Sequence, residues 1–513
     1  MPRATAALAA LLLAVALQVA AGQSTSQAQG IIRVSNGRFV DDSCTEYRFA
    51  GWNGWNLLRH AVQDPAYITQ KFQQAQDNSL NVVRFFLAGG DDDGAPLLLS
   101  GPGQFNEQVA RGLDFLLAEA AKYGVKATIA FLNLWKPAGV PQFEQWCGTS
   151  GTTVRPRPDI DVRPPGALNA TERLTTPYAW LTSPACRDQV KSFYSAVVNR
   201  RNTLTGVLYR DDPTIFSWNL MNEPRCKYCG PEPVDGWYGD MAAYLKSIDP
   251  NHLVTTGEEG FFEEADPAAA SNPTDGNVWA SRSGQSFRAN HQKSGIDYAV
   301  MHLWPDNWRN PPLDVAWGQQ WIDAHIQVAS QLGLPLVLEE FGKNAAEQSI
   351  GSVRDPWFEL VNAAVDSSLA SGGPLRGSLF WQWDGDSGPR PGNGSDIRLQ
   401  DSTFTQHIRP FAAKLAATLP DTVPGCVPRT SPVAGPVALA AGAPGAVPAA
   451  EGRTQAARLV PSPSPSSPSS TSSPRPSPSP SPSSPSPSRS PPSVKLFEGP
   501  SASGGAGRKL LNG

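Results

Sequence analysis

Nowhere in this 513-residue sequence does a strand-like run lead into G-x-G-x-x-G or a P-loop, so neither a dinucleotide fold nor a nucleoside-triphosphate site finds support. Past residue 22, no apolar run reaches the ~18 residues that a membrane-spanning helix needs. Cysteine is scarce, with six at 44, 147, 186, 226, 229 and 426. Cys226 and Cys229 form a C-x-x-C, a spacing that serves bridges, redox centres and half zinc sites. Neither a second C-x-x-C nor a histidine cluster stands near it, so a structural bridge is the reading. Six cysteines allow 15 pairings, and only Cys226–Cys229 is suggested by proximity. A basic body is missing as well. From residue 425 onward eight Arg/Lys face two Glu, a net +6, so the rest of a chain at −4 stands at −10. An acidic body argues against nucleic acid as a partner, whereas a cationic tail suits a polyanionic matrix such as a cell wall.

What is present is unevenly placed. Residues 1–22 run from Arg3 through an apolar stretch to Ala20-Ala21-Gly22, the layout of a secretory signal peptide cut near Gly22–Gln23. After that cleavage no membrane attachment is expected. At the other end, residues 427–513 turn to Ala/Pro/Gly and then to Ser-Pro repeats between Pro461 and Ser493. Such a segment has almost nothing to bury and favours polyproline II, so a disordered, solvated tail is expected. The sequons at Asn169 and Asn393 fit a secreted glycoprotein.

Between the ends, residues 30–426 are long enough for one large α/β barrel. Short apolar runs near 47–52, 80–86, 125–132, 214–221, 252–257, 297–303, 335–339 and 377–382 read as strands. They alternate with helical patterns such as residues 108–124, where Val109, Leu113, Leu116, Leu117 and Ala120 recur at helical spacing and Gly124 stops the helix. Eight strands alternating with helices predict a parallel sheet closed into an eight-fold (β/α) TIM barrel. Barrel enzymes gather their chemistry at the carboxyl ends of the strands. There this sequence places Arg84, Asn133 and Trp135, Asn222-Glu223, Glu258-Glu259, His302 and Trp304, Glu339-Glu340 and Trp381. Glu223 by itself reads equally as a helix cap, an ion-pair partner or a catalytic acid. Two carboxylates on one active face suit glycosidic cleavage, which needs an acid on the leaving oxygen and a carboxylate across the anomeric carbon. Fifteen tryptophans offer faces on which sugars stack.

The stretches "WNLMNEPRC", "DDPTIFSW", "MHLWPDNW" and "LEEFGK", with "NVVRFF", "DMAAYLKSIDPNHLVTTGEEGFF" and "LFWQW", resemble endo-β-1,4-mannanases of glycoside hydrolase family 5, subfamily 7, plant and fungal members above all. The resemblance runs from about residue 31 to 415 and leaves out the tail, which looks like hydroxyproline-rich wall proteins. It implies Glu223 as acid/base and Glu340 as nucleophile. Arg84 would orient the nucleophile and Asn222 would bind the sugar 2-hydroxyl. His302 would be a polar active-site group, with a buried structural histidine as the alternative. Trp381 would be the sugar platform. Arg225 would be either a leaving-side sugar contact or the partner of a rim acid. Glu339 is expected to face away from Glu340, because strand side chains alternate. Two departures from the family stand out. Trp304 occupies a position that is often Tyr, whose hydroxyl touches the nucleophile, and residues 152–180 form a longer, proline-rich insertion.

The implied activity is retaining hydrolysis of internal β-1,4-mannosidic bonds, by a monomer that needs no metal or organic cofactor. Two alternatives remain: a β-1,4-glucanase on the same barrel, and a wall glycoprotein whose barrel binds polysaccharide without cleaving it.

Overall fold

The computed structural model describes residues 30–429 apart from 88–96, 135–138, 150–178, 227–228, 274–277, 310, 384–393 and 419–420. The leader, the tail beyond 429, Trp135, Asn169, Asn393 and nearly all of the proline-rich insertion lie outside the described residues.

Each of the eight apolar runs becomes a strand: β1 (Phe49–Asn53), β2 (Val82–Phe86), β3 (Lys126–Ala130), β4 (Ile215–Asn219), β5 (Leu253–Thr255), β6 (Ala299–Leu303), β7 (Leu336–Phe341) and β8 (Leu375–Phe380). They are buried along their whole length, as expected of parallel strands covered on both faces. The sheet order is β6-β7-β8-β1-β2-β3-β4-β5, with every ladder parallel. Across the remaining seam Asp297 N–H donates to Val254 O, Thr255 Oγ1 to Tyr298 O and His302 N–H to Glu259 O, at 2.9–3.0 Å. These bonds bring the two ends of the sheet together and nearly close the (β/α) barrel.

Helices α1 (Pro65–Asp77), α2 (Glu107–Lys122), α3 (Pro184–Val198), α4 (Glu232–Ile248), α5 (Phe287–His291), α6 (Val315–Leu332), α7 (Asp355–Ser371) and α8 (Arg409–Ala417) follow the strands in turn. In α2 the five apolar residues picked out by their spacing all lie in the core. Asn106 caps its start by accepting from the Gln108 and Val109 amides, and Gly124 follows with φ +70°.

Inside the barrel Phe49, Val82, Phe216, Leu253, Val300, Val337 and Leu379, one from each of seven strands, form an apolar layer. Ile32, Phe39 and Tyr47 close it from below. Phe39 comes from an antiparallel hairpin of Arg33–Ser35 and Arg38–Val40, whose strands follow Ile32 directly. Each side chain of this size contributes about 1.5–3 kcal/mol on burial. With its floor filled, the barrel leaves only the carboxyl end of the strands for chemistry.

All six cysteines are paired: Cys44–Cys426, Cys147–Cys186 and the expected Cys226–Cys229. The first ties the hairpin region to the end of the domain. Chain contacts continue past 426, where Arg33 donates to Val427 O and the Arg429 amide to Asp42 O.

Candidate active site

Past the end of β4 the chain keeps its neighbours. The Leu220 and Met221 amides donate to Thr255 O and Thr256 O, Asn222 N–H to Leu132 O, and Glu223 N–H to Gly257 O at 2.8 Å. These bonds hold Glu223 at φ +51°, in the left-handed region that a residue with a Cβ seldom adopts. Strain of this kind persists only where surrounding structure over-determines it, and it gathers at functional sites.

Arg84, fully buried on β2, is the hub. Its Nη1 donates to Glu340 Oε1 at 2.5 Å and to Asn53 Oδ1 at 3.1 Å, and its Nη2 to Asn222 Oδ1 at 2.7 Å. Asn222 in turn donates to Asn133 Oδ1. The second Glu340 oxygen accepts from Trp304 Nε1 at 3.1 Å, so the indole supplies the hydrogen bond expected from a tyrosine. His302 lies beneath, with Nδ1 2.8 Å from Glu223 Oε1 and 3.5 Å from Glu340 Oε2. One atom from each of Glu223, His302 and Glu340 lies within 4.8 Å of the others. The same trio is the group of described residues near enough together to surround a small cation, although Arg84 donating into it opposes a further positive charge. Trp381, half-buried just beyond β8, meets Trp304 edge-on with ring centres 5.8 Å apart.

The expectation for Glu339 needs correction. Opposite one step on β6, from Met301 to His302, β7 advances two residues, from Leu338 to Glu340. Against β8 it advances three residues while its partner advances two. This one-residue bulge re-aims a side chain, as bulges beside active sites do. Val337 points inward and Leu338 outward, so plain alternation would put Glu339 inside and Glu340 outside. The bulge brings both in. Glu339 accepts from Asn219 Nδ2 at 2.8 and 2.7 Å and faces Arg84 Nε at 3.5 Å.

The charges follow from these contacts. Burial alone would push the His302 imidazole down, yet the carboxylates of Glu340, Glu223 and Glu339 lift it to about 10. Burial pushes Glu340 above the usual carboxylate range, with His302 and Arg84 pulling it back and Glu223 adding to the rise. Burial would raise Glu339 too, but Arg84, His302 and the Asn219 amide bring it below that range. Burial also opposes the charge on Arg84, and Glu339 and Glu340 outweigh it.

Arg225 meets a carboxylate, Glu259, which is buried rather than on the rim. Two of its three guanidinium nitrogens donate to Glu259, Nε to Oε2 at 3.0 Å and Nη2 to Oε1, and the guanidinium lies over the rings of Trp279 and Phe261. Burial pushes Glu259 up to about 7, Arg225 opposing and Glu223 adding. Gln285 donates to both Glu259 and Pro224 O, bracing the loop behind Glu223. Asn53 and Gln285 also contribute, and neither is among the residues expected from the sequence. Asn53 directly follows the first apolar run, 47–52, and its place at a carboxyl end is a usable signal. Gln285 sits in a loop with no such marker.

The family described as GH family 5 beta-mannosidase-like matches residues 29–397. A tomato (Solanum lycopersicum) protein, mannan endo-1,4-beta-mannosidase 4, is 33% identical over 393 residues, which cover 73% of this chain and 90% of that one. A rice (Oryza sativa subsp. japonica) protein of the same name is 35% identical over 374 residues, 70% and 74% of the two chains. Among solved structures, the endo-1,4-beta-mannanase of Rhizomucor miehei aligns with a TM-score of 0.60 at 25% identity, covering 76% of this chain and all of that one. The endo-beta-1,4-mannanase of Thermotoga petrophila gives 0.57 at 26% identity, covering 72% and 77%.

Proposed function

This chain belongs to the GH family 5 beta-mannosidase-like family, and from that premise we propose that it is a secreted endo-β-1,4-mannanase acting with net retention. The observation that carries the mechanism is the spacing of Glu223 and Glu340, which bring carboxylate oxygens within 4.8 Å. Retention requires carboxyl groups about 5–5.5 Å apart, whereas inversion requires about 6.5–9.5 Å to admit a water.

Glu340, held by Arg84 and Trp304, attacks the anomeric carbon while Glu223 protonates the leaving oxygen. Glu223 then deprotonates the water that releases the mannosyl enzyme. Asn222, oriented by Arg84 and Asn133, is placed for the sugar 2-hydroxyl, and Trp381 for its apolar face. Arg225 pairs with Glu259 beside the acid/base loop and offsets part of the rise that burial imposes on it. The paired cysteines and the N-terminal leader support secretion, and the Ser-Pro tail beyond the barrel suits attachment to wall matrix.

Digestion of mannohexaose followed by NMR of the first-formed anomers tests retention, and α-anomers appearing first would sink the mechanism. Reducing-sugar release from galactomannan and glucomannan, but not from carboxymethylcellulose, separates a mannanase from a glucanase. Glu223→Ala is expected to lose about 10²–10⁴-fold in kcat, and Glu340→Ala to lose at least as much with an unchanged circular dichroism spectrum. Undiminished mannan hydrolysis by Glu340→Ala would overturn the assignment, and mannan affinity without turnover in the wild type would favour a binding module.

A further inference from the structure

Five ionisable side chains share the base of the site: Arg84, His302, Glu223, Glu339 and Glu340. If Glu223 carries the proton that it donates, two cations face two carboxylates and the cluster is neutral. Glu339 supplies one of those negative charges, yet it stands behind the reacting pair. Its carboxylate is buried, and both oxygens accept from Asn219 of β4. Arg84 Nε of β2 and His302 Nε2 of β6 make no hydrogen bond among the described residues, and both face Glu339 Oε2, at 3.5 and 3.8 Å. Each cation is thus gripped on two sides. Arg84 turns Nη1 to Glu340 and Nε to Glu339, while His302 turns Nδ1 to Glu223 and Nε2 to Glu339. Glu340 lies next to Glu339 on β7, Asn53 of β1 donates to the Glu339 carbonyl, and His291 and Tyr298 sense the Glu339 charge from farther out.

We propose that Glu339 is a positioning residue for the reaction, the buried counter-charge that holds Arg84 against Glu340 and keeps protonated His302 against Glu223. The β7 bulge makes this possible, because one strand then presents two consecutive carboxylates, one to the sugar and one to the cations behind it. The inference rests on Glu340 and Glu223 being the reacting pair.

Removing a negative charge from a buried cluster makes every remaining proton easier to lose. Glu339→Gln keeps the shape and loses the charge, so both limbs of its kcat/KM–pH profile are expected to move to lower pH by about one unit or more, with a lower maximum. Glu339→Asp keeps the charge and is expected to restore both limbs to their wild-type positions. A Glu339→Gln profile that is merely lower, with unmoved limbs, would leave Glu339 a packing residue and overturn the inference.

Because losing one partner of a buried ion cluster can prevent folding, a wild-type measurement stands beside the variants. In ¹⁵N-imidazole NMR, His302, assigned by its absence from His302→Asn, is expected to stay protonated through pH 8. Titration near 6.5 would overturn the counter-charge. Trapping with a 2-deoxy-2-fluoro mannoside separates the two layers of argument. A label on Glu340 with unmoved Glu339→Gln limbs rejects this inference alone, whereas a label on Glu339 rejects the assignment of the reacting pair as well.

Discussion

Trp304 carries a hydroxyl's task with an indole. A tyrosine at this position offers an O–H that can ionise, whereas the indole N–H donates and never accepts, so its bond to Glu340 keeps one direction at every working pH. Trp304→Phe keeps an aromatic ring against Trp381 and removes the donor. A lost hydrogen bond to a charged acceptor is worth about 1.5–3 kcal/mol, so kcat is expected to fall roughly tenfold or more with KM little changed. Steady-state kinetics on mannohexaose check this, and an unchanged kcat would mean that Arg84 alone suffices to hold Glu340. The residue types were legible here, since Arg84, Asn222, Glu223, His302, Trp304, Glu340 and Trp381 all stand at strand ends in the sequence. The direction of each donor was not, because it depends on which neighbour the fold supplies.

At the scale of elements, the site depends on the turn after β5. Gly257 has φ +83°, and a Cβ there would lie 2.0 Å from Asn219 Oδ1 and 2.4 Å from Met221 O. Its carbonyl accepts the Glu223 amide. One glycine thus lets β5 pass close to the amide that holds Glu339 and fixes the backbone of Glu223. Gly333, which ends α6 at φ +68°, has nothing within 4 Å of its Cβ position. Gly333→Ala should therefore cost only the left-handed backbone, about 1–3 kcal/mol. Gly257→Ala should cost clearly more and depress activity as well. Urea unfolding of both proteins makes the comparison, and equal losses would show that the β5 turn has room to spare. The strands themselves were read nearly to the residue, because buried parallel strands leave uninterrupted apolar runs. The bulge in β7 escaped, because an extra residue in one strand is defined only against the registers of β6 and β8.

Across the whole molecule, two disulfides of very different span predict different consequences. Cys44–Cys426 closes a separation of 382 residues and Cys226–Cys229 one of 3. On the chain-entropy relation the first restricts the unfolded chain by about 6 kcal/mol and the second by about 2. Cys44→Ala/Cys426→Ala is expected to lower the melting temperature far more than Cys226→Ala/Cys229→Ala. The second pair lies next to Arg225, and the Cys226 amide donates to Ser283 O, so its loss should show in kcat more than in melting. Calorimetry with parallel kinetics distinguishes them, and matched melting losses would mean that loop span does not set their worth.

The sequence by itself determined the order of elements, because apolar periodicity is local and each strand and helix carries its own. It also determined which residue types crown the barrel, because they stand at the ends of those runs. The tertiary structure decided what depends on distant parts of the chain. It chose one of fifteen cysteine pairings, gave Arg225 to Glu259, and set Trp304 on Glu340. It also turned two adjacent glutamates inward, one toward the substrate side and one toward the cations beneath. Those outcomes rest on register and side-chain direction between segments far apart in sequence, which no local pattern encodes.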